Sequence, residues 1–143
     1  MFLGESRHQL DPKGRLTVPA RFRTELGSII YATKGLDHCI FIYTMDEWKK
    51  LEEKIYSLPF TQGDVRAFTR VFFSGASELE MDKQGRVLLP ASLIDHAQIN
   101  KEIMIMGVGA RIELWSVENW TAYEKEATHS FEAITENLVN FGL

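Results

Sequence analysis

The sequence predicts an α+β fold in which two tandem β-rich units complete one pseudo-symmetric β core with flanking helices. The first observation behind this is a repeat: Asp11-Pro12-Lys13-Gly14-Arg15-Leu16-Thr17-Val18-Pro19-Ala20 aligns with Asp82-Lys83-Gln84-Gly85-Arg86-Val87-Leu88-Leu89-Pro90-Ala91 at a shift of 71. Further on the shift becomes 72, which brings Gly35 onto Gly107, Ile40 onto Ile112, Tyr43 onto Trp115, Thr44 onto Ser116 and Trp48 onto Trp120, as one inserted residue would. The second observation is that each copy carries short β-rich runs followed by a helix-start signal. The third is size: a unit of about 45 residues without disulfide or metal is a marginal folder, so the two copies are expected to share one core and neither to survive alone.

The elements follow in order. Gly14 and Gly85 supply the permissive backbone of a tight turn whose amides the preceding aspartates can bond, predicting strand, turn, strand. Pro19 and Pro90 sit where a short helix opens, and Gly27 ends the first one after Phe22 and Leu26 have lined a face; Leu93 and Ala97 hold the equivalent places. Hairpins are predicted from Ile29–Lys34 with Cys39–Tyr43, and from Ile103–Met106 with Arg111–Trp115. Thr44 with Glu47 makes a capping box for a helix whose Met45, Trp48, Leu51, Ile55 and Leu58 share a side, and Ser116 caps its counterpart. Leu58-Pro59 breaks the first long helix, and Thr61–Phe73 reads as another through Val65, Phe68 and Phe72. The last helix reads as longer, with Trp120, Ala127, Ile134 and Phe141 recurring every seven residues and Phe131 and Leu138 between them, a stripe for the core or for a partner. The expected boundaries are 5–48, a helical connector 49–75, 76–119, and a C-terminal helix 120–143.

A hydrophobic fraction of 45%, charged residues at 25% and no apolar run of membrane length place the chain among ordinary globular proteins. The N-terminus shows no export signal, so a cytoplasmic location is expected. The lone Cys39 is expected to be buried and inert. Net charge is −4, yet residues 1–24 carry Arg7, Lys13, Arg15, Arg21 and Arg23 against Glu5 and Asp11, a local +3. Acid concentrates at the other end, where Glu118, Glu124, Glu126, Glu132 and Glu136 face only Lys125, a flank kept off any polyanion.

The string Asp-x-x-Gly-Arg-Leu-x-Val-Pro-Ala-x-Phe-Arg-x-x-Leu-Gly resembles the swapped-hairpin DNA-binding unit of the SpoVT/AbrB type, and two copies in one chain resemble the MraZ family. The resemblance extends to the Met-Phe-x-Gly start, the Gly-Leu-Asp-x-Cys-Ile turn and the Trp after each hairpin. It implies tandem swapped-hairpin units and a bacterial transcriptional regulator, generally a repressor. It also implies a nucleoid-associated, ring-like homo-oligomer on short direct repeats of double-stranded DNA, upstream of its own division and cell-wall operon. Position by position it maps DNA contacts onto Arg15, Arg23 and, less directly, Arg86. Ser92 and Ile94 replace Arg21 and Arg23 in copy two, leaving Lys83 and Arg86, so copy one is expected to carry the DNA surface. Arg7, His8, Lys13 and Arg21 join the candidates by charge and proximity.

Other readings are weaker. Arg15 and Arg86 could pair with Asp11 and Asp82, four residues earlier, while still meeting DNA, and the aspartates read as turn-shaping groups. His8, His38, His96 and His129 lack metal-binding spacing, and no phosphate loop or nucleophile elbow occurs, so no enzyme, metal, cofactor or small-molecule substrate is expected. The tryptophans follow core positions rather than a base-stacking platform. A module that neutralises a protein partner is the rival of a different class; stoichiometric co-purification of an unrelated protein would favour it.

Overall fold

A computed structural model describes all 143 residues. The first copy runs β1 (Glu5–Gln9), β2 (Arg15–Thr17), α1 (Ala20–Leu26), β3 (Ile29–Lys34), β4 (Ile40–Thr44), α2 (Met45–Tyr56) and α3 (Gly63–Ser74). The second runs β5 (Ser77–Glu80), β6 (Arg86–Leu88), α4 (Ala91–His96), β7 (Glu102–Gly107), β8 (Ile112–Ser116), α5 (Val117–His129) and α6 (Phe131–Glu136), with a last tight turn at Val139–Phe141. No helix is long and apolar enough to cross a membrane.

Local chemistry sets the helix ends. Pro19 and Pro90 are the residues just before α1 and α4, one place earlier than the first helical position, and Gly27 closes α1 at φ 75°. Thr44 accepts from the Glu47 amide at 3.1 Å and Ser116 from the Asn119 amide at 3.0 Å. The reciprocal half of the capping box is unused, because the Glu47 carboxylate turns to Lys50.

The strands flanking each Asp-x-x-Gly-Arg turn do not pair with each other. β1 crosses to β7, with Glu5 opposite Met106 and Gln9 opposite Glu102, while β5 crosses to β3. The two hairpins meet where β4 pairs with β8, giving a six-stranded sheet in the order β1-β7-β8-β4-β3-β5; β2 and β6 form a separate two-stranded ribbon. The fold is therefore swapped, each copy completing the other. Lys34 opposite Ile40 and Gly107 opposite Ile112 hold the same ladder position, so β3 and β7 correspond at a shift of 73 rather than 72. Copy two gains two residues before β7 and loses one in the hairpin turn.

Both sheet faces are covered, which explains why β4 and β8 are buried on both sides nearly from end to end. On one face Ile30, Ile42, Ile103, Ile105 and Leu114 pack against Leu16 and Val87 of the ribbon and Phe22, Leu26 and Leu93 of α1 and α4. On the other, Phe41 and Tyr43 meet α2 and α3 and Trp115 meets Trp120 and Tyr123 of α5, with Trp48 stacked between Tyr31 at 5.2 Å and Phe72 at 5.6 Å.

The C-terminal stripe departs from the expected single long helix. The chain breaks at Ser130, and Phe131, Ile134 and Phe141 are exposed rather than in the core. The reason lies in what covers each copy: α3 folds back over α2 through Phe72, whereas nothing folds back over α5, which has no buried residue.

Interleaving predicts that fragments 1–75 and 76–143 are each unfolded alone and regain structure when mixed, because β1, β2 and β5 find their ladder partners only in the other fragment. Circular dichroism of each fragment and of the equimolar mixture checks this; a cooperative unfolding transition in either fragment alone would contradict it.

Candidate nucleic-acid interface

The β2–β6 ribbon lies across the pseudo-two-fold axis. Leu16 and Val87 stand opposite each other, each 1% exposed, and period-2 alternation then forces their neighbours outward. The outer face carries Arg15 opposite Leu88 and Thr17 opposite Arg86, so the two arginines are diagonal neighbours about 7–8 Å apart.

Each arginine is held by its own aspartate. Asp11 Oδ1 accepts from the Lys13 and Arg15 amides, both at 2.9 Å, and Oδ2 accepts from Arg15 Nε at 2.6 Å. Copy two repeats this: Asp82 accepts from the Gln84 amide at 2.9 Å, the Arg86 amide at 2.8 Å and Arg86 Nε at 2.8 Å. Gly14 at φ 83° and Gly85 at φ 79° make the turns possible. The clamp occupies Nε and leaves the outer guanidinium nitrogens available; Arg86 spends one on Gln84. The Arg15 amide above all, with its side chain, holds the Asp11 carboxyl below the usual carboxylate range, and the Arg86 amide does the same for Asp82.

The remaining candidates fall into three places. Lys13 and Lys83 are exposed at the two turns, at opposite ends of the antiparallel ribbon. Arg21 lies over the Phe22 ring at 4.5 Å and reaches Ser6 Oγ at 3.4 Å, beside His8. Burial first, and Arg21 second, push the His8 pKa down, so at neutral pH the ring is a neutral partner of Ser6 Oγ at 2.8 Å rather than a cation. Arg7 projects from the opposite face of β1 and pairs with Glu102 at 2.5 Å.

Arg23 does not join Lys13 and Arg15. Its Nε donates to the Val18 carbonyl at 2.7 Å, and its guanidinium lies on Gly85, where a Cβ would stand 2.4 Å from Cζ. It thus serves the second turn with Lys83 and Arg86. Its counterpart Ile94 lies on Gly14, with Cδ1 3.5 Å from a Cβ placed there. The basic residues of copy one are thus divided between both turns. Lys101, from the two-residue insertion, lines the hollow beside Asp11 and Arg15 and was not a sequence candidate, since only the β1–β7 swap brings it there.

A family model described as "MraZ protein, putative antitoxin-like" matches residues 1–71 and again 72–142. The chain belongs to the MraZ family. Its relatives include proteins named "Transcriptional regulator MraZ" from Syntrophomonas wolfei subsp. wolfei, 56% identical over 143 residues, and Heliobacterium modesticaldum, 55% identical over 143, each match covering 100% of both chains. A third of that name, from Moorella thermoacetica, is 50% identical over the same full length. These names describe a family of regulators, not of enzymes.

Two outcomes follow from the turn geometry. Gly14→Ala and Gly85→Ala each force a side chain into a left-handed backbone and should cost about 1–2 kcal/mol in thermal unfolding. Only Gly85→Ala drives Arg23 off Val18, so the shifted Arg23 Nε–H resonance should vanish in that variant and persist in Gly14→Ala. Both aspartates, with native pKa values depressed, stabilise the fold above the ordinary carboxyl range and lose that contribution as pH falls through their native midpoints. Carboxyl NMR titration should place both midpoints below about 3.9; ordinary midpoints would mean that the clamps are open in solution.

Proposed function

We propose that the chain is a sequence-specific transcriptional regulator that lays the β2–β6 ribbon into the major groove of double-stranded DNA. The observation that carries this is the pair of aspartate-held arginines on the outer face of a ribbon whose other face is core. A two-stranded ribbon fits that groove, and arginine can donate in bidentate fashion to guanine, a contact worth about 1–3 kcal/mol of discrimination. Arg15 and Arg86 take the base edges, while Lys13, Lys83, Arg21 and Arg23 meet phosphates at the flanks and fix the register. His8, neutral and bonded to Ser6, supports the Arg21 side of this surface. The acidic α5 packs on β7 and β8 through Trp115 and Trp120, on the sheet face away from the ribbon.

Size argues for several copies acting together. Three-residue strands span roughly 10 Å, or about three base pairs, too few for a selective site. Linking identical ribbons multiplies recognition through effective concentration. This supports the homo-oligomer on short direct repeats that the family resemblance implies, with repression of its own division and cell-wall operon as the regulatory reading. That role would place the protein at the nucleoid.

Titration against DNA from upstream of its own operon, at several salt concentrations, tests the reading. Arg15→Ala and Arg86→Ala should each weaken binding by about 1–3 kcal/mol per engaged subunit. Lys13→Ala should flatten the slope of log affinity against log salt by about 0.9 per engaged subunit. Arg7→Ala, on the opposite face, should leave the slope unchanged. Equal affinity of the wild type for upstream and random duplex would sink the regulator, and co-purification of a stoichiometric unrelated protein would favour a partner-neutralising module instead.

A further inference from the structure

We infer that Leu88 reads a thymine in the DNA site, its side chain closing on the 5-methyl group of the base pair next to the one that Arg15 takes. The inference rests on the regulator reading and adds to it a residue that selects sequence without a hydrogen bond.

An exposed leucine needs no explanation by itself, but this one is set apart by its place. Leu88 is 57% exposed and packs in neither core cluster. It stands on the outer face of the β2–β6 ribbon, where the other outward side chains, Arg15, Thr17 and Arg86, are all polar. The ladder fixes which of them it meets. The Leu89 amide donates to the Gly14 carbonyl at 3.1 Å and the Val18 amide to the Gly85 carbonyl at 2.8 Å, so Gly14 with Leu89 and Val18 with Gly85 are hydrogen-bonded pairs. Antiparallel pairs alternate in kind. Arg15 with Leu88 and Thr17 with Arg86 are therefore the pairs without ladder bonds, whose side chains stand closest.

A leucine beside a guanidinium, on a surface turned to a polyanion, gains from contact only where the partner offers something apolar. Phosphates offer nothing of the kind. Among the groups that distinguish base pairs in the major groove, one is apolar, the 5-methyl of thymine. The paired side chains start about 4.5–5.5 Å apart at Cβ, and successive bases rise by about 3.4 Å, so with Arg15 on a guanine Leu88 reaches the neighbouring base pair. Its counterpart in copy one is Thr17, beside Arg86, whose hydroxyl both donates and accepts. The purely apolar contact thus belongs to the Arg15 half of the ribbon.

Titration against DNA from upstream of the protein's own operon, prepared with thymine and again with deoxyuridine throughout, decides it. The exchange removes every 5-methyl and keeps every hydrogen-bonding group of the bases. The wild type should bind the thymine duplex about fourfold more tightly per engaged ribbon, the worth of one buried methyl. Leu88→Ala truncates an exposed side chain and leaves the core intact; it should lose that preference and keep the wild-type salt slope. In duplexes with single deoxyuridine replacements, the sensitive thymine should lie next to a guanine whose exchange no longer matters to Arg15→Ala. Equal wild-type affinity for the two duplexes, a preference that survives Leu88→Ala, or a sensitive thymine away from that guanine overturns the inference and leaves the regulator reading standing. A wild type that does not prefer upstream over random duplex overturns both.

Discussion

Everything in this molecule depends on the exchange of strands across the pseudo-two-fold axis. β1 finds its ladder on β7, β5 on β3 and β2 on β6, so no copy owns a finished sheet. The exchange buries Leu16 against Val87 at the axis and thereby sets Arg15 and Arg86 on one outward surface. It also lets Arg23 cross from α1 to the second turn, where Gly85 makes room for a guanidinium. A basic surface built this way belongs to both copies even though their basic residues differ.

Much of this was legible in the sequence because it is local. The turn glycines, the aspartates that bond amides two and four residues on, and the Thr44 and Ser116 caps are short-range chemistry that residue type and spacing express directly. Partner choice is not local. Alternation tells which side of β1 faces inward but not which strand lies beside it. That is why the destination of Arg23 and the arrival of Lys101 beside the first turn could not be read from the chain, and why a single insertion stood in for two residues gained and one lost. The C-terminal stripe misled for a related reason: helical spacing identifies an apolar side, and burial requires something to cover it. Copy one has α3 for that purpose and copy two has nothing.

The sheet axis shows how a duplicated sequence escapes its own symmetry. Phe41 stands opposite Glu113 in the β4–β8 ladder, the place where an identical pair would put two like side chains together. Glu113 is buried yet fully engaged, accepting from Arg111 Nη2 at 2.7 Å and Trp115 Nε1 at 3.0 Å, and Arg111 covers the Phe41 ring at 4.3 Å. A buried carboxylate is tolerable only when so satisfied, and the pair forms across the axis only because the two positions differ. Beside it, burial above all, and then Glu113, push the Cys39 thiol far up, which leaves it protonated and without nucleophilic character.

The same divergence gives the molecule a direction. A dimer of two identical units has two identical ends and can recognise only what shares its symmetry, an inverted repeat or a second isologous face. Fusing the units in one chain removes that restriction, since each copy can change without changing the other. Here Ile94 and Arg23 have made the two turns unlike, and α3 has covered one outer surface while the other carries an uncovered apolar segment. A chain with unlike ends can be followed by another in the same orientation, and a ribbon with unlike turns presents a polarised surface. The broken symmetry of the fold therefore gives a single chain the polarity that a dimer of identical units lacks.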